Sequence, residues 1–359
     1  MAVQRVLLAS PRGFCAGVEK AIKALAWMVR VFEPPVYCYH EIVHNRHVVD
    51  QFRAQGVIFV DDVDEVPAGA PLMLSAHGSA PEVVENARAH DRVVVDAVCP
   101  LVTKVHHELK VRARKGYTVL YVGHQGHEEA VGTMAVAPDS VHLVQSEAEV
   151  DQADVMAGTP VALLAQTTLS HDEWSGIMAR AQERFPDLWM PNRSDLCFAT
   201  TNRQAALKAI AGRSDTVIVI GSVNSSNTRA LETVARAMGC PRVLRVNAAD
   251  ELPDDLSGTV GVTAGASAPD ELVDAVLAKL APVDGIEEVA VTDEDEYFPP
   301  PPEMRDLLGA LGGALALGFG APAPGSGKGP VPGSPEDDLG TLARDRHVSA
   351  ADVLARLAG

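Results

Sequence analysis

The chain of 359 residues is poor in aromatics, at 4%, and poor in basic side chains, with 30 Lys and Arg against 48 Asp and Glu. Cores built without rings must come from Val, Leu, Ala and Ile, which suits buried parallel strands. A net charge of −18 excludes an extended nucleic-acid surface, which needs concentrated Lys and Arg. No run of 18 or more apolar residues is present, so no membrane span is expected. The opening Met1-Ala2-Val3-Gln4-Arg5-Val6 reads as the lead into a strand rather than a signal peptide. Closely paired cysteines are missing too: the five present are odd in number and include no CxxC. That excludes a disulfide scaffold, disfavours structural zinc and points to a reducing, cytoplasmic setting.

What is present is a rhythm of short apolar run, polar turn and amphipathic helix, which predicts an α/β fold with parallel sheets. Strands are expected at 36–39, 72–75, 93–96, 118–122, 161–165, 216–220 and 259–263, with helices between them. In such sheets, function collects at the carboxyl ends of the strands.

Three cysteines, Cys15, Cys99 and Cys197, each stand where an apolar run meets a turn and a helix. They lie about 90 residues apart, roughly one small α/β domain each. Three thiolates at helix N-termini are one short of closing an iron–sulfur cluster, and would leave one iron open to substrate. Zinc is the less favoured alternative, because its structural ligands usually come as close pairs. Cys38, within an apolar strand, and Cys240 read as ordinary small hydrophobes.

Two further turn classes recur. Ala76-His77-Gly78-Ser79-Ala80-Pro81, Ala165-Gln166-Thr167-Thr168-Leu169-Ser170 and Ala264-Gly265-Ala266-Ser267-Ala268-Pro269 form one. His40-Glu41-Ile42-Val43-His44-Asn45, Gly123-His124-Gln125-Gly126-His127-Glu128-Glu129 and Gly221-Ser222-Val223-Asn224-Ser225-Ser226-Asn227-Thr228 form the other. Three of each kind suggest a three-fold pseudo-repeat, although generic strand-to-helix turn chemistry produces part of the likeness. His44, His77 and His127, with Ser225, Ser226, Asn227 and Ser267, make a donor set without Lys or Arg that suits a phosphate at helix starts. Plain helix capping accounts for the serines equally well. Glu129 is the candidate acid, although spacing does not separate it from Glu128. Thr168 is the candidate hydroxyl partner, with Thr167 beside it.

These segments, together with Pro11-Arg12-Gly13-Phe14-Cys15-Ala16-Gly17-Val18, Cys99-Pro100-Leu101-Val102-Thr103-Lys104-Val105-His106 and Cys197-Phe198-Ala199-Thr200-Thr201-Asn202-Arg203-Gln204, resemble the 4-hydroxy-3-methylbut-2-enyl diphosphate reductases, the last enzymes of the non-mevalonate isoprenoid pathway. The likeness runs in order to roughly Arg305. It implies a trefoil of three α/β domains around a central [4Fe-4S] cluster held by Cys15, Cys99 and Cys197. It further implies a diphosphate surrounded by His44, His77, His127, Ser225, Ser226, Asn227 and Ser267, with Glu129 as proton donor and Thr168 positioning the substrate hydroxyl. Ferredoxin or flavodoxin would supply electrons. Where that family usually has Gly-His-Pro-Glu-Val-Glu-Gly-Thr, this chain has Gly126-His127-Glu128-Glu129-Ala130-Val131-Gly132-Thr133. Ser79 and Ala80 also depart from the usual residues after His77-Gly78. A quinolinate-synthase-like lyase would use a three-cysteine cluster as well, but gives no reason for Asn224 to Asn227 beside Gln166-Thr167-Thr168. An iron–sulfur sensor would have no use for Glu129 and Thr168.

The domains expected are 16–98, 99–195, and 1–15 joined to 196–298. A Pro/Gly-rich extension over 299–359 is expected to be flexible. Within it, 307–320 is apolar but short and Gly-rich, 321–335 reads as a linker, and Ser349 would cap a last short helix.

Overall fold

A computed structural model describes residues 2–318 and 345–358. The linker expected over 321–335 lies outside the described residues. Among the described residues, twelve strands form three sheets, and every pairing within them is parallel. The largest sheet runs in the order β10 (Arg242–Val246), β9 (Thr216–Ile220), β11 (Gly258–Ala264), β1 (Val3–Ser10), β12 (Ile286–Ala290). The second runs β3 (Val57–Val60), β2 (Val36–Tyr39), β4 (Leu72–Leu74), β5 (Val94–Asp96). The third is β7 (Val141–Val144), β6 (Thr118–Val122), β8 (Val161–Ala165).

The N-terminal strand β1 therefore sits inside the sheet of the last unit, between β11 and β12. The interior strand β9 reads Thr-Val-Ile-Val-Ile and is buried at every position, as a strand with helices on both faces must be. Edge strand β12 alternates exposed and half-buried positions instead. Each sheet has its own apolar layer. One layer packs Leu7, Ala9 and Val219 against the helix Phe198–Ala211. Another packs Val119 and Tyr121 against Val105 and Leu109.

The described parts of the C-terminal extension, 299–318 and 345–358, differ from the flexible segment expected. Helix Pro302–Gly318 buries Met304, and helix Ala350–Ala358 buries Ala350 and Leu354, all in the same layer as Ile22, Leu25 and Met28 of helix Ala16–Val31. Polar ties hold the same contact. Lys23 Nζ donates to Asp345 O at 3.1 Å, Ala350 N to Glu19 Oε2 at 2.8 Å, and Gln55 Nε2 to Leu357 O at 2.6 Å. A stripe of Ala350, Val353, Leu354 and Leu357 has the 3.6-residue period that makes such docking favourable, and a fully buried Leu contributes about 1.5–3 kcal/mol. No described helix is long and apolar enough to cross a membrane.

Candidate active site

The turns at the carboxyl ends of all three sheets face one cavity of about 110 Å³. Cys15, Cys99 and Cys197 line it, each as the N-cap of a helix: Ala16–Val31, Pro100–Arg114 and Phe198–Ala211 respectively. The three positions are built alike. Cys15 N donates to Ala266 O at 3.1 Å, Cys99 N to Ala76 O at 3.0 Å, and Cys197 N to Thr167 O at 3.1 Å. Each cysteine turn is thus stitched to a turn of the small-residue class. The residue after each accepting carbonyl is Ser267, His77 or Thr168, and all three line the cavity. This shared stitch is the physical content of the three-fold repeat.

Glycine makes the sulfurs' approach possible. A Cβ at Gly17 would lie 2.9 Å from Cys99 Sγ and 3.9 Å from Cys15 Sγ, so both sulfurs crowd one point. Cys197 Sγ accepts from Thr200 N at 3.2 Å and lies 3.0 Å from Thr200 Oγ1. Burial, reinforced by the neighbouring Cys15, pushes the Cys99 thiol up to about 12 and the Cys197 thiol up to about 11. Thiols this reluctant to ionise become ligands only when a metal brings the positive charge. The free thiols and their helix-start amides fit a bound metal centre.

Two buried cations brace these loops. Arg203, 1% exposed, donates to Gly13 O at 2.9 and 2.7 Å and to Phe14 O at 3.0 Å, and pairs with Glu294 at 3.0 Å. It ties the Cys197 helix to the turn before Cys15. Lys20 Nζ donates to Val98 O at 2.8 Å, beside Cys99, and burial lowers its pKa.

Across the cavity stand the polar residues. His44 and His77 rings stack at 4.0 Å, with His127 edge-on to both. His127 is the N-cap of helix Glu128–Met134, and its Nδ1 accepts from Glu129 N at 3.2 Å. Its ring proton therefore sits on Nε2, and burial lowers its pKa to about 3, so the neutral ring is a donor. Ser225 is the N-cap of helix Ser226–Ala237, accepting from Thr228 N at 3.3 Å. Asn227 Oδ1 accepts from Ala266 N at 2.9 Å, and Ser267 Oγ donates to His44 O at 2.9 Å. Ser226 Oγ accepts from Gln166 Nε2 at 3.1 Å.

The two adjacent glutamates part ways here. Glu129, 3% exposed, accepts from Thr167 N at 2.7 Å through Oε1 and from Thr167 Oγ1 at 3.0 Å through Oε2. Burial outweighs both bonds and raises its pKa to about 7. Glu128 turns toward His77 and His40. Thr167 thus holds the acid, while Thr168 Oγ1 accepts from Gln166 Nε2 at 2.8 Å and lines the cavity. All twelve residues proposed from the sequence line this one space, and Cys38 and Cys240 do not. Sequence reasoning missed three features. Gln166 is fully buried and bridges Thr168 to Ser226. Glu41 contacts His44 Nδ1 at 3.3 Å. Phe198 and Phe298, with rings 6.2 Å apart, form an apolar side of the cavity. For Gln166 and Glu41 a signal existed in their places within repeated turns, Glu41 standing three residues before His44, whereas the Phe198–Phe298 contact is long-range.

Three parallel α/β units, closed around thiols, a buried carboxylic acid and capped helix starts, define an enzyme core built to hold a metal centre against a polar substrate. Residues 6–281 match the family described as LytB protein, and the chain belongs to that family. It is 44% identical over 312 residues to the 4-hydroxy-3-methylbut-2-enyl diphosphate reductase of Rhodopirellula baltica, covering 85% of this chain and 97% of that protein. It is 47% identical over 317 residues to the reductase of the same name from Acidothermus cellulolyticus, covering 87% and 93%. The solved E-1-hydroxy-2-methyl-but-2-enyl-4-diphosphate reductase from Plasmodium falciparum superposes with a TM-score of 0.82 at 30% identity, covering 86% of this chain and 99% of that one. A solved (E)-4-hydroxy-3-methyl-but-2-enyl diphosphate reductase, the terminal enzyme of the non-mevalonate pathway, gives 0.57 at 28% identity, covering 78% and 99%.

Proposed function

We propose that this chain is an iron–sulfur oxidoreductase that converts 4-hydroxy-3-methylbut-2-enyl diphosphate into isopentenyl and dimethylallyl diphosphate. Two electrons and two protons enter, the C–O bond to the allylic hydroxyl breaks, and water leaves. Cys15, Cys99 and Cys197 would hold a [4Fe-4S] cluster, which would supply electrons singly and Lewis acidity toward the hydroxyl. A small cytoplasmic carrier of the ferredoxin or flavodoxin type delivers the electrons.

The chain's own residues bind, orient and protonate. His127 offers Nε2–H to the diphosphate, and the start of helix Ser226–Ala237 offers the first-turn amides of Ser226 and Asn227 beside the Ser225 cap. His44, His77 and Ser267 complete that wall. Holding the diphosphate there fixes where the allylic end must lie, which lowers the entropic part of the barrier. Thr168 positions the substrate hydroxyl, and its own oxygen is oriented by Gln166. Glu129, raised to about 7, still carries a proton near neutrality in part of the molecules and gives it to the departing oxygen, while Thr167 fixes both carboxyl oxygens. Phe198 and Phe298 shield the hydrocarbon from water.

The observation that carries this reading is the convergence of three scattered thiols and one buried carboxyl group, its pKa raised by that burial, on a single cavity. Anaerobically reconstituted protein, given reduced mediator and 4-hydroxy-3-methylbut-2-enyl diphosphate, is expected to release both C5 diphosphates. Full iron loading with no turnover of this substrate would contradict the reading.

A further inference from the structure

Each helix begun by a cavity cysteine carries a cation that reaches to the loop in front of the next cysteine. On the helix after Cys15, Lys20 Nζ donates to Val98 O at 2.8 Å, the carbonyl next to Cys99. On the helix after Cys99, Lys104 Nζ donates to Arg193 O at 3.2 Å and Ser194 O at 3.4 Å, on the loop leading to Cys197. On the helix after Cys197, Arg203 donates to Gly13 O and Phe14 O, on the turn leading to Cys15. The three ties run one way round and close a ring.

Two of these cations are neutralised where they sit. Lys104 Nζ lies 3.1 Å from Asp195 Oδ1, and Arg203 pairs with Glu294 at 3.0 Å. Lys20 differs. It is 8% exposed, and among the described residues no carboxylate lies within salt-bridge distance of it. An ammonium withdrawn from water is unfavourable unless an anion answers it. The anion that attracts Lys20 most is the Cys99 thiolate, ahead of Asp96 and Glu303. Helix geometry gives the reason. A Cβ at Gly17 would stand 2.9 Å from Cys99 Sγ, and Lys20 lies one helical turn further along the same face. The ammonium alone leaves the Cys99 thiol at about 12, so it assists a bound metal centre and does not ionise the thiol unaided.

We propose that Lys20 is a positioning residue for the iron–sulfur centre: it fixes the Cys99 turn through Val98 O and holds one unpaired positive charge beside the Cys99 thiolate, which eases the arrival of each electron. Lys20's role rests on the cluster reading above. A one-electron reduction adds one negative charge and breaks no bond, so a fixed positive charge nearby favours the reduced form. The electron comes from the carrier during turnover and from dithionite in the test below. Lys104 and Arg203 carry their counter-charges with them, so their part is to tie the loops.

Parent, Lys20→Arg, Lys20→Gln and Lys20→Met are reconstituted anaerobically and assayed for iron and sulfide. Each is then titrated with dithionite and mediators while the reduced centre is followed by electron paramagnetic resonance. At equal iron content, both neutral variants are expected to disfavour reduction about 10-fold, a potential about 59 mV lower, with Lys20→Arg within about 3-fold of the parent. Gln keeps an N–H for Val98 O, so a shift in both neutral variants separates the charge from the hydrogen bond. A parent-like potential in either neutral variant overturns the role. Should both neutral variants lose their iron, retention by Lys20→Arg upholds the need for charge, and loss in Lys20→Arg overturns it. A parent chain that binds no iron sinks the cluster reading itself, and Lys20's role with it.

Discussion

The cysteine wall and the histidine wall face the same space and handle charge by opposite means. On the cysteine wall, burial and mutual repulsion hold Cys99 and Cys197 near 12 and 11, so positive charge must come from a guest. On the histidine wall the protein sets protonation itself, residue by residue. Glu128 falls to about 2, against its own desolvation, because His77, His44 and His40 surround it. Glu129, next in the chain, rises to about 7, because burial outweighs the two bonds from Thr167. One helical step separates a permanent anion from a proton reservoir. Sequence adjacency does not set acid–base behaviour; the partner and the amount of water do.

Replacing the reservoir tests this comparison most severely. Glu129→Gln is expected to lower kcat by about 10²–10⁴-fold while iron loading stays intact, checked by single-turnover product formation. The parent's turnover should fall as pH rises through about 7, where Glu129 loses its proton, and that limb should be absent in the variant. Stability carries the same signature. Between about 4.5 and 7 the folded state keeps a proton that the unfolded chain has lost, so stability falls with rising pH across that window. The fall amounts to about 3 kcal/mol and should flatten in Glu129→Gln, as read from denaturant midpoints against pH.

A smaller change sharpens the contrast. Thr167→Val removes the hydroxyl bond to Oε2, which lowers the acid's pKa, while leaving the amide bond. The alkaline limb of the pH profile is expected to move upward and kcat to fall about 10-fold. The smallest effect belongs outside the cavity. Removing residues 345–359 strips the helix that packs on Ala16–Val31, behind Cys15. A Tm several degrees lower is expected, by calorimetry, with the pH profile unchanged.

Much of this architecture was legible in the chain, and the omissions share a cause. Strands such as Thr216–Ile220 announce themselves as continuous apolar runs, since both faces are covered. The four strands not foreseen, Val57–Val60, Val141–Val144, Arg242–Val246 and Ile286–Ala290, are all edge strands. Three of them mix Arg, His or Glu with apolar residues, because one margin meets water, whereas Val57–Val60 is apolar throughout but only four residues long. The short helices Arg46–Ala54 and Glu128–Met134 escaped because two turns carry little periodicity. The site residues were readable because strand-to-helix turns are local. The choice between Glu128 and Glu129 was not, since it depends on Thr167 and His77 from distant segments. The docked C-terminal helix was hidden similarly: its partner lies more than 300 residues earlier.

Joint metal uptake by Cys15, Cys99 and Cys197 is the property on which the proposed chemistry depends most directly. Anaerobic reconstitution with iron and sulfide, followed by iron and sulfide analysis and electron paramagnetic resonance after one-electron reduction, measures this for the parent chain and for Cys15→Ser, Cys99→Ser and Cys197→Ser. Four irons and four sulfides per parent chain, and a marked loss in every single variant, are the expected results. Full cluster content in any one of the three variants would contradict the claim.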